Sequence, residues 1–508
     1  MRRRLAVAAV AALLLVAGCA AYFEDPEDGG RPDPATDVAG WEDGVWHNES
    51  LDVDQSDGLG EAELDAVVAR ATARVEYIRG HEFEQTVDVT VRSREEFRAD
   101  SGRDPPAEAR LRRNALYEGL FFVGEGTDAV SVLAANRGGG TLGYYSPGED
   151  RIVLVADGGV AVDERTLGHE LVHALQDQEF ETAFGGPTVE ARNAAASVVE
   201  GDAAYVDYRY GQRCGEEWTC LTVESRGSGY AHVGVALLQV FPYSDGAAFV
   251  ADRHRDGGWA AVDALYRDPP ASTEQVIHPG KYGRDPPTDV GVEDRSGPAW
   301  SVVGRESVGE PGLFTMLWYP SYRNGSDVVV PRNVSSGPGP DVYDYAHPYS
   351  AGWDGDRLVA YARDSSARTN ETGYVWKTAW DSPADAEEFA AAYRELLEYH
   401  GARQVGESTY RIPEGDGDAG GFADAFHVAV AGDTVTVVNA PTVAALTAVR
   451  DDLAVERTTA TARTARAATT ATTATTGTET TRAPGTPGFG AAGAAVAVAL
   501  ALVAARRR

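Results

Sequence analysis

His169, Glu170 and His173 stand in the order HExxH within Arg165–Phe180, RTLGHELVHALQDQEF. On a helix, residues four apart lie one turn apart on the same face, so both imidazoles can reach a single metal ion. Glu170 projects beside that pair and suits a general base acting on water at the metal. Catalytic zinc normally takes three protein groups and keeps one position open, so two histidines leave the site one ligand short. The third is sought in Ala194–Tyr208, AAASVVEGDAAYVDY, where small residues around Glu200 allow two helices to approach closely. Glu200 is the expected ligand. Glu190, Asp202 and Asp207 are the rival carboxylates, and a capping or salt-bridged surface glutamate is the plainer role for Glu200 itself.

Further residues could serve that chemistry. A metal-bound histidine usually hands its other ring N–H to a carboxylate, and Asp177 and Asp207 are the acids within a turn or two. The loop Pro269–Tyr282, PPASTEQVIHPGKY, is dense in polar side chains that must find partners if it is buried. His278 and Tyr282 from this loop, with Tyr243, are candidates to stabilise an oxyanion. A surface loop holding a hydrogen-bonded histidine explains the same residues.

The elements that must position these groups follow from periodicity. Leu167, Leu171, Ala174 and Leu175 repeat at three and four, which predicts a helix over Arg165–Phe180 with one buried stripe. Leu59–Arg79 has the same period, and Val87–Val91 alternates like a strand. Gly143–Val155, GYYSPGEDRIVLV, predicts two short strands around a Ser-Pro-Gly turn. Such a strand at a sheet edge could receive an extended peptide. A helix over Tyr230–Val240 should stop at Phe241-Pro-Tyr-Ser-Asp-Gly246, with a second one over Ala247–Arg253; Gly257-Gly258-Trp259 then leads into Ala260–Tyr266.

Pro286–Gly297 is turn-rich and acidic and reads as a boundary. Beyond it the pattern is again α+β. Strands are expected at Ala299–Val303, Arg357–Ala362 and Gly373–Trp380, and helices at Glu306–Tyr319 and Ala384–His400. A hairpin at Phe426–Val430 and Thr434–Asn439 precedes a last helix over Ala444–Leu453. This second unit carries no acid–base pair or metal spacing.

Length and charge bound the rest. A chain of 508 residues is too long for one core. Asp and Glu number 78 against 45 Lys and Arg, a net charge of -33, and the lysines are Lys281 and Lys377 alone. Such a surface suits a salt-saturated habitat, where ions screen its self-repulsion, and it excludes nucleic acid as an expected partner. Residues 1–19 form a secretory signal whose end, Val16-Ala17-Gly18-Cys19, resembles a lipobox with lipidation at Cys19. Cys214 and Cys220 suit a small disulfide-closed loop outside the cell. Residues 20–57 read as an acidic Pro/Gly-rich tether, 58–288 as the domain with the HExxH motif, 289–455 as a C-terminal α+β domain and 456–486 as a Thr/Ala-rich stalk. Residues 487–508 resemble a PGF-type sorting signal of archaeal surface proteins, with a transmembrane anchor as the alternative. Asn48, Asn324, Asn333 and Asn370 begin glycosylation sequons.

GYYSPGEDRIVLV, HELVHALQDQEF, VVEGDA and PPASTEQVIHPGKY, in that order, resemble the successive motifs of a zincin-like family of exported prokaryotic metallopeptidase homologues. In haloarchaea these occur as lipid- or PGF-anchored surface proteins. The resemblance covers roughly residues 59–285 and extends more weakly through GWDGDR, Gly352–Arg357, into the second unit. It implies a gluzincin arrangement of one zinc ion on His169, His173 and Glu200, with Glu170 as base. It further implies a peptide or protein substrate and a position on the outer face of the membrane, in contact with the cell envelope or S-layer. An inactive zincin scaffold with a binding or structural role is the alternative. Thermolysin-like enzymes place an aspartate four residues after the glutamate ligand; here Ala204 stands there, so the surroundings of the ligands must differ.

Overall fold

The computed structural model describes residues 33–100, 105–156, 160–180, 185–223, 230–363, 372–415 and 421–453. The signal segment with Cys19, Asn370, the Thr-rich stalk and the sorting segment lie outside the described residues. Within them the fold is mixed α+β, as the two periodicities predict. Asn48, Asn324 and Asn333 are all exposed.

A two-stranded hairpin, β1 (Trp41–Glu42) and β2 (Val45–Trp46), precedes α1 (Glu61–Arg79), β3 (Asp88–Ser93), α2 (Arg94–Asp100), α3 (Ala107–Gly119) and α4 (Ala129–Gly140). Then come β4 (Gly143–Ser146), β5 (Arg151–Ala156), α5 (Glu164–Glu179), α6 (Val189–Arg213), α7 (Val233–Leu265) and α8 (Thr273–Ile277). The three strands form one sheet in the order β3-β5-β4, with β3 parallel and β4 antiparallel to β5. β4 is therefore an edge strand. The expected stripe on α5 is buried in full, Leu167, Leu171, Ala174 and Leu175 each being at most 1% exposed. It packs with Val67 and Ile78 of α1, Ile152 and Leu154 of β5 and Val206 of α6 in one apolar cluster.

The crossing of α6 and α7 rests on two glycines. A Cβ on Gly201 would stand 2.5 Å from the backbone of Gly246, so only glycine lets these helices touch there. This close approach corrects one expectation: α7 does not stop at Phe241–Gly246 but runs through Pro242. Proline and glycine disfavour a helix locally, yet tertiary contacts override them here. Ser244 is buried, donates to Asp341 Oδ1 at 2.9 Å and accepts from Tyr343 N at 2.8 Å. The break falls instead at Gly257 and Gly258, whose backbone is non-helical. The window of α7 that is apolar enough to span a membrane is 83% buried inside the protein, which marks a core helix.

The C-terminal elements are β6 (Ser301–Glu306), α9 (Gly309–Asn324), β7 (Trp353–Ala362), β8 (Thr372–Trp380), α10 (Pro383–Tyr399), β9 (Arg403–Gln404), β10 (Thr409–Arg411), β11 (Ala425–Ala431), β12 (Thr434–Ala440) and α11 (Val443–Val449). Every expected element is present within a few residues. The strands form an antiparallel sheet in the order β6-β7-β8-β12-β11-β10-β9. The largest core joins residues from both sides of the Pro286–Gly297 segment, among them Leu116 of α3, Phe241 of α7, Trp376 of β8 and Leu396 of α10.

Candidate metal centre

α5 is anchored before it presents any chemistry. Asp163 caps its N-terminus by accepting from Thr166 N at 3.0 Å. Glu164, fully buried, accepts from Arg70 at 2.9 and 3.1 Å, from Arg74 at 2.6 Å, from Tyr210 Oη at 2.8 Å and from Leu221 N at 2.9 Å. One carboxylate thus ties α5 to α1, to α6 and to the loop closed by the Cys214–Cys220 disulfide. Gly168 brings α6 in close, since a Cβ there would meet the Tyr210 ring at 3.3 Å.

One turn into the helix, His169 and His173 converge with Glu200. Nε2 of His173 lies 3.2 Å from Nε2 of His169 and 3.2 Å from Glu200 Oε2, and His169 Nε2 lies 3.6 Å from the same oxygen. Ligand atoms about 2.1 Å from a tetrahedral zinc stand about 3.4 Å apart, so the triangle has the size that zinc requires. Two imidazoles and a carboxylate are also a donor set that zinc prefers. The three side chains are 9–14% exposed, although Glu200 Oε2 itself is shielded from solvent, and Glu170 is wholly buried.

Burial opposes charge throughout the site, and the outcome differs by residue. Burial would raise the Glu200 carboxyl, but the neighbouring imidazoles of His173 and His169 pull it down to about 2. Burial would lower His173, but Glu200 and then Glu170 push it up to about 9. For Glu170 burial wins over the two histidines, and its carboxyl is held above the usual range. Its Oε2 accepts from Tyr145 N of β4 at 2.9 Å, and its Oε1 is buried without a hydrogen-bond partner. β4 can approach because position 143 is glycine; a Cβ there would meet Glu170 Cγ at 3.3 Å.

The other sequence candidates are placed as follows. Asp202 is engaged by Arg79 at 3.1 Å and by Tyr266 Oη at 2.7 Å, and Glu190 by Thr273 N at 2.6 Å, so neither competes with Glu200. The expected carboxylate partners of the histidines are corrected. Asp207 binds Arg165 through two hydrogen bonds of 2.9 and 2.6 Å, and Asp177 accepts from Tyr145 Oη at 3.0 Å. The partner of His173 is Gln176, whose Oε1 lies 2.9 Å from Nδ1 and whose Nε2 donates to Val199 O at 3.0 Å. That amide fixes the tautomer that leaves Nε2 free for a metal. The pair is legible in the sequence as i,i+3 on one helix face, with a glutamine in place of the expected acid. Tyr243 is brought to the site, its ring 5.9 Å from that of His169. His278 pairs instead with Glu310 at 3.1 Å, and Tyr282 donates to Asp268 O at 2.5 Å.

A family model described as a domain of unknown function, DUF8575, matches residues 300–450. That span is coextensive with β6 to α11 and excludes the histidine–glutamate triangle. No curated protein and no solved structure matches the chain.

Proposed function

We propose that this chain is a zinc-dependent peptidase of the zincin type, acting outside the cell from a membrane anchor. The observation that carries the reading is a three-ligand triangle of 3.2–3.6 Å beside a buried carboxylate with one unpartnered oxygen. His169, His173 and Glu200 would hold the ion. Bound zinc supplies Lewis acidity that polarises a carbonyl and makes water a nucleophile near neutral pH.

The chain's own residues then divide the work. Glu170 accepts the proton of the attacking water on Oε1 and delivers it to the leaving amine. Tyr145 N holds Oε2, so the carboxylate cannot rotate away between the two. Gln176 fixes the His173 ring. β4, the edge strand of its sheet, lies beside Glu170 through that same hydrogen bond and is where an extended substrate would add. Tyr243, beside His169, is the nearest of the expected oxyanion donors. The test is hydrolysis of a quenched-fluorescent peptide library by the zinc-loaded protein. Cleavage lost in Glu170→Gln supports the reading; equal cleavage by both proteins overturns it. Stoichiometric zinc with no cleavage by either would leave a metal-held scaffold.

A further inference from the structure

A second group of acids lies away from the triangle, where the first half of the chain meets the C-terminal sheet. Glu118 ends α3, Glu125 follows the next turn, and Asp424 precedes β11; each offers an oxygen within 4.8 Å of the others. The two chain segments are fastened by backbone as well. Glu125 N donates to Gly421 O at 2.8 Å, and a Cβ on Gly124 would stand 2.5 Å from that same oxygen. Glu118 is 6% and Asp424 2% exposed. Asp424 Oδ2 accepts from Asn439 Nδ2 at 2.9 Å, and Glu118 is within hydrogen-bond reach of Thr372 and of Asp424 itself; the buried Asp424 Oδ1 and Glu118 Oε2 find no other donor.

Glu125 and Asp424 share one guanidinium, Arg411, and Glu118 and Asp424 have little water to stabilise their charge. Burial raises all three, and repulsion from neighbouring acids adds to it at Glu118 and Glu125, the latter being held at about 7. Either protons or a cation must balance the remaining charge. We propose that Glu118, Glu125 and Asp424 bind a calcium ion that clamps the turn after α3 onto the C-terminal sheet. The donors are all hard oxygens, and calcium takes six to eight of them at about 2.3–2.6 Å in flexible geometry, which carboxylates from two chain segments can supply. Magnesium, at about 2.0–2.1 Å, demands a tighter cage, and zinc selects the imidazoles of the other site. Half-buried Glu125 provides the approach from solvent.

The experiment is melting of the zinc-loaded mature protein at pH 8 in concentrated KCl, with and without millimolar calcium, paired with terbium luminescence displaced by calcium. Calcium should raise the melting temperature of the wild type by roughly 5 °C. Glu125→Gln and Asp424→Asn should abolish that rise, while the exposed pair Glu387→Gln/Glu388→Gln keeps it. The rise should persist in His169→Ala, which separates this site from the zinc triangle. If Asp424→Asn does not fold, the half-buried Glu125→Gln decides. An equal calcium rise in wild type and Glu125→Gln would overturn the proposal. So would a calcium-insensitive wild type made more stable by Asp424→Asn, which would show carboxyls sharing protons.

Discussion

Buried acids are handled differently on the two sides of the molecule. Glu164, at the root of α5, is held by two arginines, a tyrosine and a backbone amide. Asp356, on β7 of the C-terminal sheet, is equally buried yet draws only on neutral donors: Ser307 Oγ at 2.7 Å, Val308 N and Gly309 N at 3.1 Å, and Trp376 Nε1 at 2.9 Å. Ionic anchoring fixes direction as well as position, because a bidentate guanidinium accepts few geometries. It is found where the aim of a helix matters to within fractions of an ångström. Neutral capping suffices where a helix, α9, need only begin in the right place.

The largest effect that sharpens this contrast is on chemistry. Glu170→Gln should lower kcat/KM for a peptide substrate by about 10³-fold while zinc content stays at one equivalent. A comparable change at Asp356 should leave kcat intact. On stability, Glu164→Gln strands two buried arginines and should cost about 3–5 kcal/mol in chemical denaturation. Asp356→Asn, which disturbs only neutral hydrogen bonds, should cost about 1–3 kcal/mol. A reversal of that order would break the comparison. Gln176→Ala should weaken zinc affinity about 10- to 100-fold in competition with a chelator, with the fold unchanged.

The smallest effect is in pH dependence, at the seam between the two sides. Glu190 is buried on α6, bound to Thr273, and held by burial at about 8 against 4.5 for the free group. The folded chain therefore keeps a proton that the unfolded chain loses between pH 4.5 and 8. Stability falls as pH rises through that window, by at most about 1.4 kcal/mol per pH unit from this residue. Glu190→Gln should flatten that slope, as read from denaturation midpoints at pH 5, 6.5 and 8.

Much of this was legible in the sequence because it is local. The stripe on α5, the Ser-Pro-Gly hairpin and the C-terminal hairpin around Ala431-Gly-Asp433 each announce themselves within a dozen residues. The small residues around Glu200 also point to a close helix crossing, although the partner glycine, Gly246, lies in a stretch whose local signals are those of a break. What escaped was long-range or chemically unexpected. Pro242 sits inside α7 because burial outweighs its local cost. Arg70, Arg74 and Arg79 on α1 bury their charge against acids 90 or more positions away, which no periodicity reveals. Gln176 is chemically unexpected because a carboxylate is the commoner partner of a ligating histidine.

The measurement that bears most directly on the candidate metal centre is zinc content by mass spectrometry of the protein, purified with zinc present and then desalted, for the wild type and Glu200→Ala. The account predicts one equivalent in the wild type and a loss of most of it in the variant. Less than a tenth of an equivalent in the wild type, or an unchanged value in Glu200→Ala, would contradict it.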